Sequence, residues 1–128
     1  MRALIVEDNQ VMCEFLRRTL VDMPFEEVVV AHTGEEGLLR LHEDGFGLVL
    51  VDWMLPDTSG LEIVKRMRAG EKYRRTPIMM ITGKNQTEDL VQAIHAGVDD
   101  YVLKPVRPAV LKEKIEKLMG RPGRGGTT

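Results

Sequence analysis

Three acidic residues lie directly after two short apolar runs of this sequence, and carboxylates in that position are able to bind a divalent cation. Glu7 and Asp8 follow the run 3–6, and Asp52 follows the run 48–51. If the two runs are neighbouring parallel strands, they lie about 4.8 Å apart and bring the carboxylates within interaction range. Two carboxylates about 4 Å apart repel each other by roughly 4 kcal/mol at an effective dielectric constant near 20, so the cluster requires a cation.

Mg²⁺ fits this donor set better than Ca²⁺ or Zn²⁺. Apart from His32, no Cys or His is expected near these positions, whereas zinc prefers nitrogen and sulfur ligands. The graded spacing of Asp and Asn residues in a calcium-binding loop is missing. Thr82 and Lys104 follow two further apolar runs and would supply a neutral donor and a positive charge. This arrangement suits a phosphoryl group attached to Asp52.

Each of these residues also has an ordinary structural explanation. Asp8 or Asn9 could cap a helix, Asp52 could begin a loop, and Thr82 could end a strand. A functional site therefore requires that they all meet at one edge of a sheet, where open α/β sheets bind their ligands.

The elements that must position these side chains are five β-strands alternating with helices. The apolar runs are short, continuous and rich in β-branched residues, which is typical of strands covered on both faces. No hairpin signal joins one run to the next, so a parallel sheet is predicted. The predicted strands are 3–6, 28–31, 48–51, 78–81 and 101–103.

Segments with apolar residues three or four positions apart follow each predicted strand and indicate helices. Capping-box spacing marks three helix starts, Pro108 suits the first turn of another, and glycines follow three helical stretches where a left-handed cap favours them. The pattern predicts an α/β fold of the (βα)5 type, doubly wound, with helices on both faces of the sheet. The box pairs are Thr33 with Glu36, Ser59 with Glu62 and Asn85 with Glu88, and the glycines are Gly70, Gly97 and Gly120.

The composition predicts one cytoplasmic domain with no general attraction to polyanions. The chain has 128 residues, of which 43% are hydrophobic, and a net charge of −2, so nucleic acid and membranes are poor candidate partners. No apolar run reaches transmembrane length, and the acidic Glu7 follows too soon for a signal peptide. Cys13 has apolar neighbours and is expected to be a buried structural thiol. Residues 121–128 are expected to be a disordered tail or linker stub.

Residues 1–120 resemble the receiver domains of two-component response regulators, most closely the stand-alone chemotaxis-type (CheY-like) receivers. The resemblance implies a flavodoxin-like sheet with strand order 2-1-3-4-5, an order that the spacing of the runs does not supply. The matching residues are the acidic pair Glu7-Asp8, Asp52 within Val-Asp-Trp-Met-Leu-Pro, Thr82, Tyr101 and Lys104-Pro105 with its peptide bond possibly in cis.

The resemblance implies that Asp52 is the phosphoacceptor of a signalling switch. A sensor histidine kinase or a phosphotransfer protein would donate the phosphoryl group. Mg²⁺ would be bound by Asp8, Asp52 and the backbone carbonyl of Met54, with Glu7 acting through water. The chain would not be an enzyme beyond catalysing its own phosphoryl transfer and dephosphorylation.

The resemblance also implies how the signal would leave the site. Thr82 and Lys104 would contact the phosphoryl oxygens, and Tyr101 would turn inward. The face built from the fourth helix, fifth strand and fifth helix would then change and control a protein partner or an output domain. The kinase, the target and the choice between a stand-alone protein and part of a longer regulator stay open, as does the choice between a monomer and a weak phosphorylation-dependent dimer.

Three neighbouring positions carry further expectations. Met54 and Lys84 lie two residues past the phosphoacceptor and the threonine, where receivers vary and tune hydrolysis, so we predict that Lys84 alters the phosphoryl lifetime. Gly83 stands where the family often has alanine and would loosen its loop. Trp53 either packs beside the site and reports magnesium by fluorescence, or covers the sheet edge.

Three other functions compete with the switch. A phosphatase with an aspartate nucleophile usually needs a second acid two residues on, where this sequence has Met54. A flavodoxin-like cofactor binder needs a phosphate loop rich in Gly, Ser or Thr, and the acids at 7 and 8 would repel a phosphate. A docking module without phosphorylation would be favoured by the loss of Asp8, Asp52 or Lys104, and all three are present.

Overall fold

The computed structural model describes residues 1–43 and 45–120, so the predicted tail lies outside the described residues. Strands and helices alternate along the chain. The strands are β1 (Arg2–Val6), β2 (Glu27–Ala31), β3 (Phe46–Val51), β4 (Ile78–Thr82) and β5 (Asp100–Leu103). The helices are α1 (Gln10–Val21), α2 (Gly34–Leu41), α3 (Gly60–Ala69), α4 (Thr87–Ala96) and α5 (Pro108–Met119).

The five strands form one parallel sheet in the order β2-β1-β3-β4-β5. The α/β prediction and the strand order implied by the resemblance are both confirmed. The chain leaves β1 toward β2 on one side and then returns to place β3 on the other side of β1. Such a change of direction opens a crevice at the carboxyl ends of the central strands.

The two faces of the sheet bury separate apolar clusters, which explains why the strand sequences are continuously apolar. Ala3 and Ile5 of β1 face one cluster with α1 and α5, and Leu4 and Val6 face the other with α2, α3 and α4. Successive side chains of a strand point to opposite faces, so both sets must be apolar.

Two of the three predicted helix starts are confirmed. The side-chain oxygens of Thr33 and Ser59 accept backbone N–H groups from the first turns of α2 and α3. The prediction at Asn85 is wrong, because α4 begins one residue later and the Gln86 N–H donates to the Asp89 carboxylate at 3.2 Å. The two overlapping pairs have the same spacing, so spacing alone does not choose between them.

The predicted left-handed ends are confirmed at one helix of three. Gly97, after α4, has φ of 117° and adopts the left-handed conformation that favours glycine. Gly70 and Gly120 have φ of −97° and −83°, which any residue adopts, so the prediction of left-handed caps there is wrong. Pro108 occupies the start of α5 as expected.

None of the helices formed by the described residues combines the length and the apolar character needed to cross a membrane.

Candidate functional site

The carboxyl ends of four adjacent strands bring the predicted polar side chains together. Glu7 and Asp8 follow β1, Asp52 follows β3, Thr82 ends β4, and Lys104 follows β5. Since β1, β3, β4 and β5 are neighbours in that order, these side chains line one stretch of the sheet edge. The edge of β2 adds His32, whose ring Nδ1 lies 3.3 Å from the Glu7 carbonyl, a contact that the sequence reading missed.

The three acids form a compact cluster of oxygen donors. One carboxylate oxygen from each of Glu7, Asp8 and Asp52 lies within 4.8 Å of the others. Glu7 and Asp52 are 1% and 6% exposed, whereas Asp8 faces solvent. A donor set of carboxylates open to water on one side fits Mg²⁺, which prefers oxygen ligands and keeps several waters.

Lys104 forms hydrogen bonds to the two buried carboxylates, Glu7 and Asp52. Its Nζ donates to Glu7 Oε1 and to Asp52 Oδ2, both at 2.8 Å. Burial raises the pKa of Glu7 and outweighs the opposing effect of the lysine. Burial lowers the pKa of Lys104, but its hydrogen bonds to Asp52 and Glu7 outweigh that cost and leave the pKa above its usual value. One ammonium group therefore bonds to two buried carboxylates, and the carboxylate of Asp8 lies beside them without a contact to this lysine.

Local backbone contacts orient both buried acids. The Asn9 N–H donates to Glu7 Oε2 at 3.1 Å, and the Asn9 side chain caps α1 by accepting the Met12 N–H at 2.8 Å. Asn9 is thus the helix cap, which leaves Asp8 available to the site. Asp52 accepts the Met54 N–H on Oδ1 at 3.2 Å, which points its other oxygen toward the lysine.

Gly60 allows α3 to begin against the loop that carries Asp52. Its N–H donates to the Trp53 carbonyl at 2.7 Å, and a Cβ atom built on it would lie 2.0 Å from the Asp52 carbonyl oxygen. A larger residue would displace the backbone of Asp52. The sequence reading missed this role, since a glycine beside the Ser59 cap looks like an ordinary helix start.

Thr82, Lys84 and Tyr101 form a chain of contacts on the β4–β5 side of the site. Thr82 is 1% exposed and its hydroxyl lies 3.4 Å from the Lys84 N–H. The Tyr101 hydroxyl donates to the Lys84 carbonyl at 2.7 Å. Burial raises the pKa of Tyr101, so its hydroxyl stays protonated and donates. The Lys104–Pro105 peptide bond is cis.

Trp53 follows Asp52 in the sequence and belongs to the apolar cluster under α2, α3 and α4. The Lys84 ammonium group lies 4.8 Å from the centre of the Trp53 ring. Met54, one residue further, is 66% exposed.

Cys13 is buried as predicted, and its thiol donates to the Glu7 carbonyl at 3.0 Å. Burial and the nearby carboxylates raise its pKa to about 11, so the thiol is protonated and inert near neutral pH.

The site joins buried acids, a bridging lysine and a threonine at the switch point of a (βα)5 sheet, and a family model supports the same interpretation. The model for the response regulator receiver domain matches residues 3–116. The chain belongs to the response regulator receiver family. The resemblance found in the sequence is thereby confirmed.

Relatives of this receiver include chemotaxis proteins. A CheY homologue of Campylobacter jejuni is 38% identical over 122 residues, which cover 94% of this chain and 93% of the relative. CheY1 of Helicobacter pylori is 36% identical over 121 residues, covering 94% and 98% of the two chains. The receiver is therefore CheY-like, and CheY-like receivers are signalling proteins switched by phosphorylation rather than metabolic enzymes.

Solved structures agree with this assignment. A CheY-like receiver from Methanospirillum hungatei superposes with a TM-score of 0.84 at 33% identity, covering 92% of each chain. The receiver domain of a sensor histidine kinase from Pseudomonas aeruginosa superposes with a TM-score of 0.83 at 27% identity, covering 94% of this chain and 98% of that one. The second structure has a magnesium ion coordinated in its active-site cleft.

Proposed function

We propose that Asp52 accepts a phosphoryl group in a Mg²⁺-dependent reaction, from a phosphohistidine on a sensor histidine kinase or a phosphotransfer protein. One observation carries this proposal. Asp52 is a nearly buried carboxylate that contacts Lys104 at 2.8 Å and lies within 4.8 Å of two further acids. Lys104 neutralises part of this charge, and a bound cation would balance the rest together with the charge of an incoming phosphoryl group.

Asp8, Asp52 and the backbone carbonyl of Met54 are the proposed magnesium ligands, with Glu7 acting through water. When bound, Mg²⁺ would neutralise negative charge on the phosphoryl oxygens and so favour attack of the Asp52 carboxylate on phosphorus. Glu7 is turned toward the lysine and the Asn9 N–H, which agrees with an indirect role.

In the transfer, an Asp52 oxygen forms a bond to phosphorus while the P–N bond to the donor imidazole breaks, and the imidazole leaves after protonation. The product is an acyl phosphate on Asp52. Lys104 then exchanges its contact with the Asp52 oxygen for one with a phosphoryl oxygen. In dephosphorylation, water attacks phosphorus, the P–O bond to Asp52 breaks, and inorganic phosphate leaves the restored carboxylate. Met54 and Lys84 border the path of this water.

The proposed output is a movement on the β4–β5 side. The Thr82 hydroxyl turns toward the phosphoryl group, the loop at Lys84 follows, and the Tyr101 side chain moves inward when its hydrogen bond to the loop breaks. This changes the face of α4, β5 and α5, whose exposed apolar residues suit a protein partner or an output domain; they are Leu90, Val91, Ile94, Leu103 and Val110. The proposed oligomeric state is a monomer or a weak dimer formed on phosphorylation.

The decisive experiment is incubation with acetyl phosphate, with and without Mg²⁺, followed by intact mass measurement. We expect a single phosphoryl adduct on the wild type with Mg²⁺ and none on Asp52→Asn. Asp57→Asn is the matched control, since Asp57 lies in the same loop but bonds to the start of α2, and it should keep the adduct. An adduct that survives in Asp52→Asn, or forms equally without Mg²⁺, would falsify the proposal.

The predicted role of Lys84 in phosphoryl lifetime has a separate test. Lys84→Ala should change the rate at which the adduct decays after the phosphodonor is removed. An unchanged decay rate would contradict this part of the proposal and leave the phosphoacceptor assignment intact.

A further inference from the structure

The Lys84 side chain lies between the phosphoacceptor loop and the beginning of α4. Its ammonium group is 4.8 Å from the centre of the Trp53 ring and 3.7 Å from Asp89 Oδ1. Trp53 directly follows Asp52 in the sequence, and Asp89 lies in the first turn of α4. Lys84 therefore contacts one group from each side of the boundary between the site and the helix.

Both contacts are of kinds that hold a lysine in place. Tryptophan is the side chain whose ring face attracts a cation most strongly, and Trp53 is nearly buried and cannot move freely. The other Asp89 oxygen accepts the Gln86 N–H at 3.2 Å, so the carboxylate that pairs with Lys84 also caps α4. The Lys84 ammonium group therefore connects the Trp53 ring to the Asp89 carboxylate that caps α4.

The helix at the end of this connection is weakly anchored by apolar packing. Of the ten residues of α4, all of them described, Ala93 is the one that is buried, whereas α3 buries five of its ten. Few apolar contacts resist a displacement of such a helix, so polar contacts at its first turn have a large share in setting its position.

We propose that Lys84 is a positioning residue that couples the Asp52 loop to the start of α4 through Trp53 and Asp89. The proposal rests on the phosphoacceptor function and adds a second route from the site to the α4 face. Since coupling between two sites is reciprocal, a partner bound on α4 also changes the affinity of the site for its phosphoryl group by the same route.

This route can be separated from the one through Tyr101. Tyr101 contacts the backbone carbonyl of Lys84, which remains when the side chain is replaced. Lys84→Met keeps the length of the side chain and the carbonyl but removes the charge. Asp89→Asn removes the charge at the other end, and Lys84→Arg keeps a cation able to stack on Trp53. Lys65→Met is the matched control, since Lys65 pairs with Glu62 at 3.7 Å on the outside of α3.

The experiment uses Mg²⁺ with beryllofluoride, a stable analogue of the phosphoryl group, and measures backbone amide shifts by NMR. The Met54 amide reports binding at Asp52, and residues 87–90 report the start of α4. We expect Lys84→Met and Asp89→Asn each to reduce the response of residues 87–90 at least about twofold while Met54 still responds, because they remove the coupling and not the ligand. The double variant should lose no more than either single one. Lys84→Arg and Lys65→Met should respond like the wild type.

A full α4 response in Lys84→Met, or additive losses in the double variant, would overturn the coupling. Asp89→Asn and Lys84→Arg carry the test if Lys84→Met fails to fold. A failure of the phosphoacceptor assignment looks different, since the Met54 amide of the wild type would then show no response to beryllofluoride.

Discussion

Two clusters of charge lie at opposite ends of the strands, and they are built in different ways. At the amino ends of β4 and β5, Arg68 pairs with Asp99 at 2.8 Å. At the carboxyl ends, Lys104 pairs with Glu7 and Asp52 at the same distance. Each cluster joins elements that are distant in the chain through one cation.

The difference lies in how completely each cluster satisfies its charges. At the amino ends Arg68 pairs with Asp99, and Asp99 also accepts the Ile78 N–H at 2.9 Å. The guanidinium group of Arg68 further donates to the carbonyls of Tyr73, Arg74, Thr76 and Gly97. At the carboxyl ends one ammonium group faces three carboxylates. We expect the balanced cluster at the amino ends to stabilise the fold, and the unbalanced cluster at the carboxyl ends to keep affinity for a ligand at a cost in stability.

The largest predicted effect breaks the balanced cluster. Arg68→Ala should lower the free energy of unfolding by about 3 kcal/mol, because removing one partner of a largely buried pair leaves the other charge uncompensated. The side chains of Arg68 and Asp99 are 11% and 13% exposed. Urea unfolding measures the loss, and the exposed Arg66→Ala on the same helix is the control. Equal losses in the two variants would show that the pair has no special role.

The next effect concerns the backbone that supports the unbalanced cluster. Gly60→Ala should cost about 2 kcal/mol and slow phosphorylation, because its Cβ would collide with the Asp52 carbonyl. Gly83→Ala, at the same edge, has no atom within 4 Å of the new Cβ and should be neutral or stabilise by up to about 1 kcal/mol. Unfolding and phosphorylation rates of both variants test this, and a Gly60→Ala protein that behaves like Gly83→Ala would contradict it.

The two clusters were not equally visible in the sequence. The acids at the carboxyl ends and Lys104 could be predicted because they directly follow apolar runs, and the edge rule for α/β sheets assembles them. Arg68 and Asp99 have residue types and positions that are ordinary for a helix surface and a loop, and their contact depends on packing between distant segments. The stacking of Lys84 on Trp53 was hidden for the same reason. The strand order came from the family resemblance, since local spacing carries no information on it.

The third prediction is a substitution in the unbalanced cluster that raises the free energy of unfolding instead of lowering it. Glu7→Gln should raise the free energy of unfolding by about 1 kcal/mol near neutral pH, because it removes a desolvated charge and still accepts from Lys104. Burial raises the pKa of Glu7 above its ordinary value of 4.5, so ionisation destabilises the folded protein as the pH rises through and beyond that value. The gain in the free energy of unfolding of Glu7→Gln over the wild type should be absent below pH 4.5 and appear above it. Added Mg²⁺ should stabilise the wild type more than the variant.

The smallest predicted effect tests whether the hydrogen-bond partners of an acid, and not its position at the edge of the sheet, set the direction of its pKa shift. Asp57 lies at the carboxyl edge like Glu7, yet its carboxylate accepts the N–H groups of Gly34 and Glu35 at 2.8 and 2.9 Å. These bonds lower the pKa of Asp57 below the ordinary 3.8. The stability that Asp57 contributes to the folded protein is therefore present above that pH and is lost as the pH falls. Asp57→Asn should therefore be slightly less stable than the wild type at neutral pH, with the difference vanishing in acid. Unfolding curves across pH would then show opposite trends for Asp57→Asn and Glu7→Gln, and parallel trends would mean that the edge itself governs both acids.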